Sequence, residues 1–431
     1  MRTIVLTVGL LMLSLSSQGA IINVPGDSAA IQGAIDGANP GDTILVAAGS
    51  YPEDIVINKS LHLQGEGANK THIIGTGSGD VVFVHADHVV IIGISISNGG
   101  TQYWDDYDPH AALELLGSDS CRIERCGFHD NPAVGLALTG SSYNTISLCD
   151  LSSNKIGLYF YENQDSVPHI DNVKNVITHN RFTDNIQDAI RFTHTLESKH
   201  VQNILQYNYF ARNHGRGFWL IMSHQNQVRM NSFINNRGFG VNLNRCIGGG
   251  QENEIYHNCF IGNNNGGKQA WQLTEGWENY WYSVTEHEGN YWSDYTGIDA
   301  NQDGIGDTPY DIPMEEYESD EFPLMNFADA DSDSVTDSVD NCPLAYNPDQ
   351  EDADLNGLGN ECDIYVCGDA NIDGAANVAD AVYLINYVFK SGPAPSPYNA
   401  GDANCDGTAN VGDVVYLISY IFRSGSPPCC P

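Results

Sequence analysis

Basic residues are scarce in this chain. Its 431 residues include 18 lysines and arginines against 55 aspartates and glutamates, a formal net charge of −37. That shortage argues against nucleic acid as a partner and makes divalent cations the expected counterions. Long apolar runs are also missing. The only candidate, residues 4–15, is too short to span a bilayer. With Arg2 ahead of it and Ser17-Gln18-Gly19-Ala20 behind it, residues 1–20 read as a cleavable secretory signal. No Cys follows the cleavage zone, which argues against a lipid anchor. Eleven cysteines in an exported chain fit an oxidising compartment, and the odd count leaves a thiol over. Helical spacing of apolar residues is absent from residues 121–263, which excludes a helical bundle there.

What that stretch has instead is repetition. One pattern, N/C-x-[I/L/V]-x-x-N/C-x-[F/L]-x-x-N, occurs at 121–131, 144–154, 175–185, 203–213, 226–236 and 253–263. Its central residue falls at Cys126, Cys149, Asn180, Asn208, Asn231 and Asn258. A period of roughly 25 residues means stacked units, none of which buries its own apolar face. Within each unit the apolar positions alternate, so the pieces are short strands. A further strand follows each terminal Asn, as in Gly135-Leu136-Ala137-Leu138 and Gly217-Phe218-Trp219-Leu220. Asn bends the chain, tolerates left-handed angles and forms amide ladders when stacked. The expected fold is an all-β, right-handed parallel β-helix. Residues 27–41 read as a capping helix over its first rung, started by Asp27-Ser28, with Ile31, Ile35 and Ala38 on one face. The Trp- and Tyr-rich residues 271–292 read as a lid on the last rung.

In each following strand the residue between two inward side chains points out. Successive rungs give Glu114, Ala137, Tyr159, Arg191, Trp219 and Asn242, then Thr139, Tyr161, Thr193 and Asn244, with Glu162, His194, His224 and Arg245 just beyond. At ~4.8 Å per rung these residues make one strip. Its aromatic, cationic and amide groups suit a sugar polymer, through ring stacking and Arg–uronate pairing. The substrate-binding candidates are therefore Glu114, Tyr159, Tyr161, His194, Trp219, His224, Asn242 and Arg245. The plain alternative is a solvated sheet face with incidental aromatics. Loops at 99–111, 161–175 and 193–203 leave the same face and add acids and histidines.

The segments IQGAIDGANPGDTILVAAGSYPEDIVINKSLHLQGEG and GNYWSDYTGIDANQDGIGDTPYDIP, with the Asn-rich rungs between them, resemble secreted parallel β-helix proteins of the NosD-like and pectate-lyase-like kind. The resemblance covers about residues 21–313. It implies the fold, and a choice among lyases, hydrolases, esterases, epimerases and binding proteins. NosD relatives are linked to copper-site assembly, yet no Cys/Met/His cluster here demands copper. If the protein is catalytic, two mechanisms fit. A lyase needs a cation on the uronate and a base, for which Arg191 or Lys199 are the candidates, with Asp105, Asp106 and Glu114 near the cation. A hydrolase needs two carboxylates flanking the bond, drawn from Glu162, Asp165 and Asp188.

From Asp299 onward the chain has 26 acidic and two basic residues. Asp299, Asn301, Asp303 and Asp307, with Gly304 at the sixth position, match a Ca²⁺ loop. Residues 314–328 read as a linker. The segment 329–363 resembles a thrombospondin type 3 repeat, carried by Asp329, Asp331, Asp333, Asp337, Asp340, Asp352, Asp354, Asn356, Asn360 and Asp363. That resemblance implies bound Ca²⁺ and a Cys342–Cys362 disulfide in place of an apolar core. Residues 364–431 hold GDANIDGAANVADAVYLINYVFKSG and GDANCDGTANVGDVVYLISYIFRSG, which resemble a type I dockerin with helices at 382–389 and 414–422. The implied Ca²⁺ ligands are Asp369, Asn371, Asp373, Asn377 and Asp380, then Asp402, Asn404, Asp406, Asn410 and Asp413. The residues ahead of each twelfth position are apolar, Val378-Ala379 and Val411-Gly412, where cohesin-selecting dockerins often carry polar pairs. The leading expectation is a secreted, calcium-binding protein that binds and cleaves a polysaccharide and attaches through its tail to a cohesin-like or cell-surface partner. The competing one is a non-catalytic adhesion scaffold.

Overall fold

The computed structural model describes residues 19–101, 110–161, 171–192, 200–221, 223–244, 253–273, 279–313 and 318–326, and, in the tail, 340, 347, 368–371, 376–390, 392, 395, 398–404, 408–423, 425, 426 and 428. The chain forms two compact units, residues 1–175 with 193–198, and residues 176–192 with 199–431. The signal segment lies outside the described residues.

In the first unit each rung contributes one strand to each of three parallel sheets. The first sheet stacks Ile21–Val24, Thr43–Val46, His62–Gly65, Val90–Ile92, Arg122–Glu124 and Thr145–Ser147. The second stacks Gly49–Tyr51, Thr71–Ile74, Ser95–Ser97, Gly127–His129 and Asp150–Ser152. The third stacks Ile55–Ile57, Val82–Val84, Ala111–Leu116, Val134–Thr139 and Ile156–Tyr161. Alternation decides which residues are inward. Ile91, Ile123 and Ile146 stack in register on the first sheet, and Ile96, Phe128 and Leu151 on the second, all fully buried. The capping helix α1 (Ile31–Gly37) buries Ile31, Ala34 and Ile35. It starts later than Asp27-Ser28, and its first turn is capped from a distance. The N–H groups of Ile31 and Gln32 donate to the Glu53 carboxylate at 2.9 and 3.0 Å. Asp27 instead accepts the Asn23 N–H at 2.8 Å.

The second unit repeats the plan. Its first sheet holds Val176–Thr178, Ile204–Gln206, Gln227–Arg229 and Glu254–Tyr256. Its second holds Arg181–Thr183, Tyr209–Ala211, Ser232–Ile234, Cys259–Ile261 and Tyr291–Trp292. Its third holds Ile190–Phe192, Phe218–Ile221, Val241–Asn244 and Ala270–Leu273. Parallel register brings like residues together, so Phe182, Phe210, Phe233 and Phe260 form one column with ring centroids 4.7–5.0 Å apart. Trp292 stacks on Phe260 at 4.2 Å, and Tyr310 on Trp292 at 4.2 Å. Each such ring contributes about 1.5–3 kcal/mol by burial alone.

The pattern asparagines are buried, and they are not the residues that turn. The left-handed position is the one before each of them: Asp130, Ser153, His179, Asp184, Tyr207, Arg212, Met230, Asn235 and His257 all have φ between 51° and 60°. The asparagine then points inward and serves the peptide groups that the bend leaves open. In the central column the backbone N–H of Asn180, Asn208, Asn231 and Asn258 each donates to the next asparagine's Oδ1, at 2.9–3.0 Å. The Nδ2 groups of the same residues reach the same oxygens at 2.9–3.0 Å. From Asn208 onward Nδ2 also donates to a strand carbonyl, as Asn231 does to Leu205 O at 2.9 Å. In the first unit the equivalent pattern position is held by Cys126 and Cys149 on neighbouring rungs. Their Sγ atoms lie 3.3 and 3.2 Å from the Glu124 and Ser147 carbonyls.

The lid is longer than residues 271–292. Trp281 and Trp292 are buried, but Trp271 sits on the outward face of the third sheet. Residues expected to form a linker at 314–328 include the strand Glu318–Asp320, which pairs antiparallel with Tyr310–Ile312. Asp320 takes the next place in the asparagine column. Its carboxylate accepts Asn290 N–H at 2.7 Å, Trp292 Nε1–H at 2.8 Å and Phe322 N–H at 3.1 Å. Fully buried there, its carboxyl is pushed up to about 7.

In the tail, α2 (Val378–Lys390) and α3 (Val411–Arg423) pack on each other around Leu384 and Leu417. Both begin earlier than 382 and 414. Asn377 and Asn410 are N-caps whose Oδ1 atoms accept the N–H of Ala379 at 2.8 Å and Gly412 at 2.7 Å. The return bond runs from the cap N–H to Asp380 at 2.7 Å and Asp413 at 2.8 Å, a capping box in each repeat.

Candidate functional site

In the first unit, register places Glu114, Ala137 and Tyr159 side by side on the outward face of the third sheet. They are not a solvated groove. Glu114 is 1% exposed and Tyr159 8%, and Ala111, Ala133, Ala137 and Tyr159 form an apolar cluster with Tyr161 against it. Alanines leave room for the Tyr159 and Tyr161 rings, 5.5 Å apart, to lie on the sheet. Glu114 accepts the Thr139 hydroxyl at 2.6 Å. This part of the strip is packing, and Glu114 is a buried hydrogen-bond acceptor rather than a ligand for a substrate cation.

In the second unit, register aligns Arg191, Trp219, Asn242 and Trp271. The Arg191 guanidinium lies 4.9 Å from the Trp219 ring and the Arg216 guanidinium 3.9 Å from it. Both guanidiniums meet one buried carboxylate, Asp188. Arg191 Nε donates to Asp188 at 2.8 Å and its Nη2 forms a short ion pair with the same oxygen. The Arg216 N–H donates to Asp188 at 2.8 Å, and its Nη1 stands 3.5 Å away. Burial, more than the neighbouring Arg191, lowers the Arg216 pKa. Gly215 permits this approach, because a Cβ there would stand 2.6 Å from Asp188 Oδ1. Trp271 stacks near Phe239 at 6.4 Å. Asn244 lies half-buried two residues beyond Asn242 on the same strand, and His224, also half-buried, is past the end of the Trp219 strand, bridged to Val201. Trp219 Nε1 and Asn242 Oδ1 are buried and have no hydrogen-bond partner.

This geometry corrects two catalytic candidates. Arg191 is tied to Asp188, so it is not poised as a lyase base. Asp188 is shared between two guanidiniums, so it is not poised as a hydrolytic acid or nucleophile. The pairing joins positions three apart across the bend, which outward alternation does not reveal, and Arg216 was missed for the same reason. Glu162, Asp165, His194, Lys199 and Arg245 lie outside the described residues, as do Asp105 and Asp106.

Asp299 accepts N–H groups from Gln302 at 2.6 Å, Asp303 at 3.2 Å and Gly304 at 2.9 Å. Asp307 accepts from Ala300 at 2.9 Å, and Asn301 donates to Asp303 at 2.8 Å. Gly304 has φ +88°, the turn a Ca²⁺ loop requires of its sixth residue. In the tail, Asp380 and Asp413 are fully buried at the first turns of α2 and α3. They accept the N–H of Asn371 at 3.0 Å and Asn404 at 3.1 Å, while Asp369 and Asp402 are buried beside them in sequence-equivalent places. Asp373 and Asp406 lie outside the described residues. So do Asp329, Asp331, Asp333, Asp337, Asp352, Asp354, Asn356, Asn360, Asp363, Cys342 and Cys362; Asp340 is described and buried.

The architecture defines a parallel β-helix protein with a paired-loop tail. The family model for the periplasmic copper-binding protein NosD matches residues 35–297, and the dockerin type I model matches 367–422. The chain belongs to the NosD family. It is 33% identical over 97 residues to the probable ABC transporter binding protein NosD of Pseudomonas aeruginosa and to that of Stutzerimonas stutzeri. That match takes in 22% of this chain and 20% of each relative, so the chain spans about a fifth of the curated relatives it matches. Among solved structures, an alginate lyase from Paenibacillus sp. is 15% identical with a TM-score of 0.46, covering 64% of this chain and 98% of that one. Pectate lyase Pel9A is 16% identical with a TM-score of 0.40, covering 62% and 81%.

Dockerin type I domains bind calcium and cohesins. The described tail core consists of Ala370, Ala381, Leu384, Ala403, Ala409, Val414 and Leu417, too little apolar surface to hold two helices unaided. Chelating Ca²⁺ is therefore expected to abolish the helical far-ultraviolet signal of the tail and leave the β-helix tryptophan fluorescence in place, with Ca²⁺ restoring the signal. A helical signal unchanged by chelator would show that the loops are not the fastener. Copper is the metal in the family model's description. The described cysteines, Cys121, Cys126, Cys149 and Cys259, are buried in the rungs. The donor set that does assemble among the described residues is His257, Glu286 and Glu288. One imidazole and two carboxylates fit a divalent ion rather than Cu(I).

Proposed function

We propose that this is an exported, surface-attached protein whose β-helix binds an anionic polysaccharide and whose calcium-loaded tail holds it to a cohesin-like partner. The observation that carries the reading is the arginine pair on the Trp219 ring. Two guanidiniums share one carboxylate, so this patch carries positive charge in a chain of net charge −37. The half-buried Trp219 ring beside the half-buried Arg216 guanidinium suits a uronate, which stacks through its ring face and pairs through its carboxylate. The half-buried Trp271, two rungs from Trp219 or ~10 Å away, extends the same face. Binding without cleavage is the function this geometry supports, because Asp188 and Arg191 neutralise each other. For the tail, Val378, Val382 and Phe389 on α2, and Val411, Val415 and Phe422 on α3, are exposed at matching positions. They offer an apolar face to a partner.

The test is affinity electrophoresis through gels containing polygalacturonate, alginate or a neutral glucan, run beside assays for unsaturated uronates and new reducing ends. Retardation in the anionic gels alone is expected. Arg216→Ala should weaken it about tenfold, on the scale of one charge-assisted hydrogen bond. Equal mobility in all gels would remove the binding reading. New ultraviolet absorbance or reducing ends would replace it with a lyase or a hydrolase and turn attention to Lys199, Glu162 and Asp165.

A further inference from the structure

Away from the third sheet, the second unit brings three ligand-type side chains to one point. His257 occupies the left-handed position before the ladder residue Asn258, with φ 52°. Its ring packs edge-on against Tyr256 at 5.1 Å, which fixes the direction of Nε2. Nε2 lies 2.9 Å from Glu288 Oε2 and 3.6 Å from Glu286 Oε2. One ligand atom from each of the three residues lies within 4.8 Å of the other two. The two glutamates come from a tight loop of the lid. Ser283 N–H donates to Glu288 O at 2.8 Å, His287 N–H to Ser283 O at 2.9 Å and Glu286 N–H to Ser283 Oγ at 3.2 Å. His287, between the glutamates, has φ 56°, so both neighbours face the imidazole instead of alternating away from it.

We infer that His257, Glu286 and Glu288 form a binding site for one divalent transition ion of the Zn²⁺ and Cu²⁺ class. An ion pair alone does not account for the charge. One imidazole faces two carboxylates. The guanidinium of Arg229 is engaged elsewhere, with Gln206 at 2.9 and 3.1 Å and with the Tyr256 hydroxyl at 3.4 Å. A dication supplies the missing positive charge. The nitrogen donor separates this site from the Ca²⁺ loops, which offer oxygen alone, so saturating Ca²⁺ does not fill it. The glutamates are exposed enough for an ion to enter from solvent and keep water on its open positions.

The experiment uses the full chain in saturating Ca²⁺, titrated with Zn²⁺ by calorimetry and with Cu²⁺ by electron paramagnetic resonance. One tight Zn²⁺ per chain is expected, along with a Cu²⁺ signal coupled to a single nitrogen. His257→Gln keeps a residue type that neighbouring rungs already place in the left-handed position, at Gln202 and Gln225. That variant and the surface double variant E286Q/E288Q should each lower Zn²⁺ affinity by roughly 10- to 100-fold or more, with unfolding temperatures confirming that both fold. No Zn²⁺ binding to the wild-type chain, or equal binding by either folded variant, would overturn the inference. So would a Cu²⁺ signal without nitrogen coupling.

Discussion

Asn231→Ala is expected to destabilise the rungs around it by about 3–5 kcal/mol, lowering their melting temperature by about 10 °C. The side chain is 1% exposed and answers five groups at once. Its Oδ1 accepts the backbone N–H and the Nδ2 of Asn208 at 2.9 and 3.0 Å. Its Nδ2 donates to Leu205 O, Arg229 O and Asn258 Oδ1, each at 2.9 Å. Alanine removes all five bonds away from water, although Asn208 Nδ2 keeps Ile177 O at 2.8 Å and Asn258 Oδ1 keeps the backbone N–H of residue 231 at 3.0 Å; a buried group left unsatisfied costs about 1–3 kcal/mol before the structure relaxes. Asn231→Cys should cost less. The chain itself places cysteine at the equivalent pattern position of the first unit, at Cys126 and Cys149, where the thiol still meets a strand carbonyl. Thermal unfolding followed by circular dichroism ranks the three proteins. An alanine variant melting within a degree or two of wild type would mean that the ladder is not what holds the bends.

The second large effect depends on pH. In the unfolded chain Asp320 ionises near its ordinary value of 3.8, whereas in the folded chain burial delays ionisation to about 7. Between those values the folded state holds a proton that the unfolded state has released. Raising the pH through that window therefore weakens the lid by about 4 kcal/mol in all, and the loss levels off above pH 7. Carboxylates held low, such as Asp184 beside Arg212, act the other way and lose their contribution as the solution becomes acidic. Urea unfolding monitored by tryptophan fluorescence, with Trp281 and Trp292 buried in the lid, should give a midpoint that falls from pH 4.5 to pH 7. Asp320→Asn should flatten that slope. Parallel slopes in the two proteins would place the titrating group elsewhere.

Much of the fold was legible because a period-2 pattern inside a fixed repeat has few solutions. Ile123 and Phe128 were readable as inward, and the asparagines as a ladder, from their spacing alone. The bends were read one residue late. The left-handed position accepts Arg212, Tyr207, Met230 and His257 alike, so it has no residue signature, whereas the asparagine beside it must supply an amide and therefore recurs. Outward strand positions were identified correctly, but their exposure was not. Alternation states which way a side chain leaves the sheet, and Tyr159 shows that a large ring can then lie flat and bury itself. Asp320 escaped because an acidic residue among Glu315, Glu316, Glu318 and Glu321 looks like linker, and only the three-dimensional column reveals its post. His257, Glu286 and Glu288 were equally hidden, since their meeting depends on where the lid folds back.

The asparagine column also has a direction. Each amide accepts from the residue before it and donates both to that residue's rung and to the amide after it, so the hydrogen bonds pass toward the lid. Asp320 accepts and, when ionised, has nothing to hand on. The stack can thus gain a repeat anywhere along its middle, because one asparagine unit slots between two others. The column therefore closes on a residue that only accepts, and its hydrogen bonds terminate at Asp320.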